Sequence, residues 1–167
     1  MKNSIRLTLP ALILASVWNA DVALAQRKDK DPLPDVSIDQ ITFGESLNNI
    51  PFDAKAIPGK PLIVEFWGVR CGPCVAFLPE LARLHKKNRD KGLLVVGIHC
   101  QQADDQEVLK LLKEAKVAYP VLRSGNVPVP FSGIPHAFIF GRDGKLTWQG
   151  NPHDDEFEKA IRAVLRP

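Results

Sequence analysis

From Pro61 onward, apolar runs of strand length alternate with segments of helical spacing. Residues 62–67 and 93–98 are almost continuously apolar, which is typical of strands buried on both faces of a sheet. Between these two runs, apolar residues recur three and four positions apart and predict a helix. The residues on its apolar face are Phe77, Leu78, Leu81 and Leu84.

The alternation continues in the second half of the chain. Asp104 followed by Glu107 predicts the start of a second helix, because the two side chains resemble a capping box. Residues 119–122 predict a short strand. The stretch 124–133 contains two prolines and predicts a loop.

A hairpin and a last helix complete the predicted domain. Residues 137–140 and 145–148 flank an Asp-Gly turn at 141–144, which favours a β-hairpin. Asn151 is the predicted N-cap of the last helix, with Pro152 in its first position. The order β-α-β-α-β-β-α predicts an α/β fold with a mixed sheet covered by helices.

The N-terminus has the pattern of an export signal. Lys2 and Arg6 precede the mostly apolar stretch 7–18, and residues 23–25 (Ala-Leu-Ala) supply a small-x-small cleavage site. We expect cleavage after Ala25 and an exported, periplasmic or extracellular protein. An uncleaved membrane anchor is the alternative, but a spanning helix needs about 20 apolar residues.

The rest of the chain is predicted to be a leader and one domain. Residues 26–35 are charged and rich in proline, so we expect a flexible leader. The domain is predicted to cover residues 36–167, beginning with short strands joined by turns over 36–57.

Composition excludes several classes without assigning a function. The chain has 167 residues, of which 45% are hydrophobic and 25% are charged, as in a soluble globular protein. A net charge of +3 is too weak to indicate nucleic-acid binding. Three cysteines are too few for a disulfide-stapled scaffold.

The chemical signal is a Cys-Gly-Pro-Cys sequence that follows the first apolar strand after a short loop, residues 68–70. A helix that begins at Cys71 would direct its unpaired N–H groups at this sulfur and favour the thiolate, and Arg70 could add to this effect. Cys74, one turn further on, is expected to be more buried and protonated. Cys71 is therefore the predicted nucleophile and Cys74 the resolving thiol.

Further residues accompany the dithiol in a characteristic order. They are Glu65, Trp67, Pro79, the Gly133-Ile134-Pro135 sequence and Gly150. Together with Cys-Gly-Pro-Cys, this set resembles the thioredoxin superfamily, and specifically its exported TlpA/ResA-type redoxins. The resemblance covers residues 62–165 and implies a single thioredoxin-like α/β domain, with a central mixed β-sheet flanked by helices.

The resemblance also implies roles for individual residues. Glu65 would be a buried carboxyl with a raised pKa that takes the proton of Cys74. Pro135 would be a cis-proline beside the dithiol, and Ile134 would offer backbone hydrogen bonds to an extended substrate. Trp67 would shield the dithiol and bind substrate.

Gly72 and Pro73 complete the expected substrate-binding residues. A Gly-Pro linker resembles that of reducing family members, so the expected function is protein-disulfide reduction by an exported thiol–disulfide oxidoreductase. Disulfide-bearing client proteins and a membrane thiol electron donor are the implied partners. We expect a monomer that uses no cofactor or metal and does not bind nucleic acid.

The sequence is also compatible with different functions. The cysteine pair could be a static disulfide, or part of a zinc site with Cys100 and His136 as further ligands. The chain could also be a copper-handling protein or a non-catalytic binding module. The sequence departs from the family at Val69-Arg70, in the proline-rich stretch 123–132, and at His136.

The remaining thiol and histidines are less informative. Cys100 ends a strand predicted to lie beside the Trp67 strand, so we expect it near the active-site edge, either as an inert thiol or as a third redox thiol. His99 is interpreted as a strand-end residue, and His85 and His153 as surface helix residues.

Overall fold

The computed structural model describes residues 32–166, and Leu33–Pro167 forms one compact unit. The predicted export signal, its cleavage site after Ala25 and the first part of the leader lie outside the described residues. Within residues 32–166, none of the helices is long and apolar enough to cross a membrane.

Seven strands and three α-helices make up the domain. The strands are β1 (Thr42–Phe43), β2 (Leu62–Trp67), β3 (Leu94–His99), β4 (Val121–Leu122), β5 (Gly125–Asn126), β6 (His136–Phe140) and β7 (Leu146–Gly150). The helices are α1 (Gly72–Asn88), α2 (Asp105–Glu114) and α3 (Asp155–Val164).

Five of these strands form a mixed central sheet in the order β4-β3-β2-β6-β7. β2 is parallel to β3 and antiparallel to β6, while β3 and β4 are parallel and β6 and β7 antiparallel. All six residues of β2 are buried, which confirms a strand covered on both faces. The predicted α/β class with a mixed sheet is confirmed. From β2 onward the order is β-α-β-α-β-β-β-β-α, which has two strands more than the predicted β-α-β-α-β-β-α.

Alternate residues of β2 enter two different cores, because successive side chains of a strand point to opposite faces. Ile63 and Trp67 pack with residues from all three helices, whereas Val64 and Phe66 pack beneath the N-terminal segment and the 127–131 loop. Glu65 lies between Ile63 and Trp67 in the alternation, so its side chain is on the helix-covered face.

The segment 36–57 is less extended than the sequence predicted. It contains one strand, β1, and 3₁₀ turns at Ile38–Gln40 and Ala54–Ala56. β1 pairs antiparallel with β5, and β5 lies inside the stretch 124–133 that was predicted to be a loop. The two-residue pairing is too short to give a recognisable pattern of alternation.

The predicted start of the last helix was wrong. Asp154, not Asn151, is the N-cap of α3. The Asn151 side-chain Oδ1 accepts the backbone N–H of His153 at 3.0 Å, and the Asn151 carbonyl accepts the N–H of Asp154 at 3.0 Å. These bonds form a turn before the helix, because an Asn side chain can bond backbone groups two residues on.

Candidate active site

The two cysteines of the Cys-Gly-Pro-Cys sequence form a disulfide at the start of α1. Cys71 is the N-cap, and its Sγ accepts the backbone N–H of Cys74 at 3.3 Å. Cys71 is half-buried, whereas Cys74 has no exposed surface. The predicted helix start and the greater burial of Cys74 are confirmed, and this geometry favours a thiolate at Cys71 in the reduced protein.

Glu65 is a fully buried carboxyl on the same sheet face as α1. Its exposed fraction is 0%, and burial raises its pKa from 4.5 to about 8. Neither carboxyl oxygen has a hydrogen-bond partner among residues 32–166. The expected rise in the pKa is confirmed, and its cause is desolvation of the charged form.

The loop before β6 lies beside the disulfide. The Ile134–Pro135 peptide bond is cis, as the resemblance implied, and Pro135 is buried. The carbonyl oxygen of Ile134, a half-buried residue, lies 3.6 Å from the Sγ of Cys71. The structure therefore places a partly exposed peptide segment next to the sulfur that would attack a client.

The remaining expected substrate-binding residues differ in accessibility. Gly72 and Pro73 are exposed on the surface of the active-site turn. Trp67 has an exposed fraction of 0%, and its ring centroid lies 5.0 Å from that of His99. In this structure the Trp67 indole forms part of the core and presents no surface to a client; its expected substrate-binding role stays a prediction.

Two contacts to the active-site turn were not expected from the sequence. The Gln101 side-chain Oε1 accepts the backbone N–H of Arg70 at 2.8 Å, and the His153 Nε2 lies 3.2 Å from the carbonyl oxygen of Pro73. His153 was interpreted as a surface helix residue, but it lies in the turn before α3. These contacts join residues 31 and 80 positions apart, and no local pattern could have indicated them.

Cys100 lies at the active-site edge, as predicted. Its Sγ is 3.3 Å from the carbonyl oxygen of Trp67, and its backbone N–H donates to the same oxygen at 3.0 Å. The Cys100 residue as a whole is exposed to solvent. Its thiol is partly buried, and this burial raises the pKa of the thiol. The raised pKa disfavours the reactive thiolate.

His136 lies away from the dithiol, on the opposite face of the sheet. Its ring stacks on Phe131 with centroids 4.7 Å apart, and its Nε2 lies 3.4 Å from the Gln149 Oε1. Burial lowers its pKa. Within residues 32–166, no group of three or more His, Cys, Asp or Glu side chains is arranged to hold a metal ion.

The sheet order, the helix-start dithiol and the cis-proline loop define a thioredoxin-like protein of the thiol–disulfide oxidoreductase class. The sequence profile of the Redoxin family matches residues 28–165. The chain therefore belongs to the Redoxin family, and it is a redoxin of the TlpA/ResA type.

Two relatives illustrate the extent of the similarity. Protein SUPPRESSOR OF QUENCHING 1, chloroplastic, of Arabidopsis thaliana is 28% identical over 130 residues, which are 71% of this chain but 12% of that protein. Thiol-disulfide oxidoreductase ResA of Bacillus thuringiensis subsp. konkukian is 24% identical over 118 residues, which are 67% of this chain and 68% of ResA. The similarity thus corresponds to a small part of the plant protein and about two thirds of ResA.

Solved structures have the same fold. A thiol:disulfide interchange protein of the thioredoxin family from Chlorobium tepidum has a TM-score of 0.67 at 22% identity, covering 81% of this chain and 99% of that chain. A secreted Mycobacterium tuberculosis disulfide oxidoreductase, described as homologous to Escherichia coli DsbE, has a TM-score of 0.59 at 25% identity. That match covers 75% of this chain and 96% of the other.

Proposed function

We propose that this redoxin is an exported protein-disulfide reductase in which Cys71 is the nucleophile and Cys74 the resolving thiol. The observation that carries the proposal is the asymmetry of the pair. Cys71 is half-buried and its Sγ accepts the Cys74 N–H at 3.3 Å, while Cys74 is fully buried. Of these two residues, Cys71 alone has exposed surface through which it could meet a second protein, and its sulfur receives the helix N–H.

The reaction balances as two thiol–disulfide exchanges. The Cys71 thiolate attacks one sulfur of a client disulfide, forming a mixed disulfide and releasing the other client sulfur as a thiolate. The Cys74 thiolate then attacks the Cys71 sulfur, closing the Cys71–Cys74 disulfide and releasing the second client thiolate. The client gains two electrons, and a dithiol donor returns the pair to its reduced state.

Glu65 is suited to the second exchange. Cys74 is buried and must lose its proton before it attacks, and Glu65 lies on the sheet face that packs against α1. With a pKa of about 8, roughly one tenth of Glu65 is ionised at pH 7. The carboxylate takes the Cys74 proton during resolution, and the carboxylic acid returns it when the donor reopens the disulfide.

The substrate surface in this proposal is the exposed turn at Gly72 and Pro73 together with the Ile134–Pro135 loop. The backbone of Ile134 lies within 3.6 Å of the Cys71 sulfur, so a client strand could pair with it while its disulfide reaches Cys71. Trp67 has no exposed surface and packs in the same core as Cys74, so we do not include it in this surface.

Export and a membrane electron donor complete the proposal. The proposed signal peptide is the pattern of residues 1–25, and a related solved protein is described as secreted. In an exported location the pair would be reoxidised with each client, so a membrane thiol donor is the partner that we propose. Fractionation of cells that express the full chain, with N-terminal sequencing of the product, tests cleavage after Ala25.

The decisive experiment is the reduction potential of the Cys71–Cys74 pair, measured by equilibrating the purified protein with a thiol buffer. A value near about −270 mV, as in thioredoxin, supports a reductase. A value near about −120 mV would indicate an oxidase. Absence of a reversible two-electron couple would reject the catalytic proposal and favour a static disulfide or a binding module.

A further inference from the structure

A chain of two hydrogen bonds connects His153 with the Cys71 sulfur. The His153 Nε2 lies 3.2 Å from the carbonyl oxygen of Pro73, and the Cys74 N–H donates to the Cys71 Sγ at 3.3 Å. The Pro73 carbonyl and the Cys74 N–H belong to the same peptide group. The two bonds are therefore in series through one amide.

The direction of the first bond follows from its chemistry. A carbonyl oxygen only accepts, so the His153 Nε2 must carry the hydrogen and donate it. A donor on a peptide oxygen polarises the whole amide and makes its N–H a stronger donor, since hydrogen bonds in a chain strengthen one another. The Cys74 N–H therefore interacts more favourably with a negative charge on Cys71.

Two contacts hold His153 in this position. Its backbone N–H donates to the Asn151 side chain at 3.0 Å. Its ring packs against Phe77, with centroids 5.3 Å apart and planes 66° apart. Since Phe77 lies on α1 and Asn151 in the turn before α3, His153 connects this turn to the active-site helix.

We propose that His153 is a positioning residue that acts through the Pro73–Cys74 peptide to stabilise the Cys71 thiolate and set the reduction potential of the pair. This inference rests on the proposed function only in taking Cys71 as the nucleophile. Stabilising the thiolate stabilises the reduced protein, so His153 makes the pair more oxidising than the helix N-terminus alone would.

None of the charged groups near Cys71 makes a hydrogen bond to the Pro73–Cys74 peptide. Arg70 precedes Cys71 in the active-site loop, Asp154 follows His153 in the turn, and Glu65 is buried behind the pair. The Ile134 segment presents a carbonyl oxygen to Cys71. His153 is thus the side chain hydrogen-bonded to the peptide that donates to Cys71.

The test compares three substitutions that separate hydrogen bonding from packing. His153→Phe keeps a ring against Phe77 but has no donor. His153→Ala removes both, and His153→Gln keeps an N–H donor without the imidazole ring. The readouts are the Cys71 pKa, from the pH dependence of its alkylation rate located by mass spectrometry, and the reduction potential of the pair.

We expect His153→Phe and His153→Ala to raise the Cys71 pKa by about half a unit, a roughly threefold change in acidity. The potential should become more negative by about 15 mV, which is this threefold change for a two-electron couple. His153→Gln should retain most of the wild-type pKa and potential, because its amide N–H can reach the same carbonyl.

An unchanged Cys71 pKa in His153→Phe would overturn the inference, whatever His153→Ala does, since a change in Ala alone would reflect lost packing. Equal shifts in His153→Gln and His153→Phe would also overturn it. Alkylation needs no client, so its result stands even if the protein reduces none. Conversely, client reduction by all three variants with unaltered potentials would reject the role of His153 and leave the proposed function intact.

Discussion

The Gln101 side chain holds the loop that carries Cys71. Its Oε1 accepts the backbone N–H of Arg70 at 2.8 Å, one residue before Cys71, the proposed nucleophile. The same side chain lies across Gly68, where the Cβ of any other residue would overlap it. Gln101 follows β3 and Gly68 follows β2, so the ends of two neighbouring strands fix the position of the active-site turn.

Gln101→Ala should loosen this turn without unfolding the domain. The Arg70 N–H can bond water after the substitution, so we expect a loss of only about 1 kcal/mol in the free energy of unfolding. The alkylation rate of Cys71 should fall about twofold to fivefold, because the sulfur is less firmly held at the helix N-terminus. Denaturant titration and timed alkylation measure the two effects.

Gln102→Ala is the matched control, since Gln102 is an exposed neighbour of the same residue type. Gly68→Ala should reproduce the defect, because its methyl group must displace the Gln101 side chain. The double variant Gly68→Ala/Gln101→Ala should then be no slower than Gly68→Ala alone. A fully additive defect would show that Gln101 does not act through this contact.

Cys74→Ser should convert the protein into a trap for its clients. Cys71 remains able to attack a client disulfide, but no thiolate is present to resolve the mixed disulfide. Non-reducing electrophoresis and mass spectrometry should show adducts that disappear with dithiothreitol. Cys100→Ser serves as the control: it should form no stable adducts, and combining it with Cys74→Ser should leave trapping intact. Trapping that requires Cys100 would contradict the two-step scheme.

Glu65→Gln should slow resolution more than the initial attack. Gln cannot accept the Cys74 proton, and removing a general base typically costs about 10²-fold or more. Rapid-mixing kinetics with a disulfide peptide separate formation of the mixed disulfide from its decay. Glu80→Gln, which removes a carboxyl from α1 six residues after Cys74, is the control and should leave both steps unchanged. Equal slowing of both steps would remove Glu65 from proton transfer.

Stability should also depend on pH through Glu65. Its pKa is about 8 in the folded protein against 4.5 as the ordinary value, so between these pH values the folded state holds a proton that the unfolded state has released. The free energy of unfolding therefore falls as pH rises, by up to about 1.4 kcal/mol per unit from this group. Glu65→Gln should lack this slope. Denaturant titrations of the oxidised wild type and Glu65→Gln from about pH 5 to about pH 9 test the prediction. It would be contradicted if the free energies of unfolding of the two proteins changed with pH in parallel.

The sheet centre and the dithiol were predictable from sequence because their signals are local. β2 is a continuous apolar run, and the Cys-Gly-Pro-Cys sequence closely follows it, so the strand–loop–helix arrangement needed no distant contact. The burial of Glu65 followed for the same reason, since a single carboxyl inside six buried residues has no route to solvent. The cis-proline was implied by the resemblance and not by any physical pattern.

The contacts that tune the site were not predictable, because they depend on tertiary geometry. Gln101 and His153 reach the active-site turn from loops after β3 and before α3, and each uses a side chain common on surfaces. Asn151 was misassigned as a helix cap because an Asn before a proline also favours a turn.

Tyr119 shares the buried space above Gly97 with Trp67. A Cβ at Gly97 would lie 3.3 Å from the Trp67 Nε1 and 3.5 Å from the Tyr119 Cε2, and Gly97 is the cross-strand partner of Glu65. The Tyr119 hydroxyl is buried and has no hydrogen-bond partner among residues 32–166. Burial, together with the charge of Glu65, raises the Tyr119 pKa well above its ordinary value.

Tyr119→Phe should therefore increase the free energy of unfolding. The substitution keeps the ring and removes a buried hydroxyl that has no protein partner, and such a group costs about 1–3 kcal/mol when it is desolvated. We expect a gain of about 1 kcal/mol by denaturant titration at neutral pH. A loss of similar size would mean that the hydroxyl is hydrogen-bonded in solution. Measuring Tyr119→Phe again in the Glu65→Gln variant would then show whether Glu65 is the partner. If Glu65 is the group reached, through an internal water, Tyr119→Phe should cost much less there, because the two substitutions would remove the same interaction.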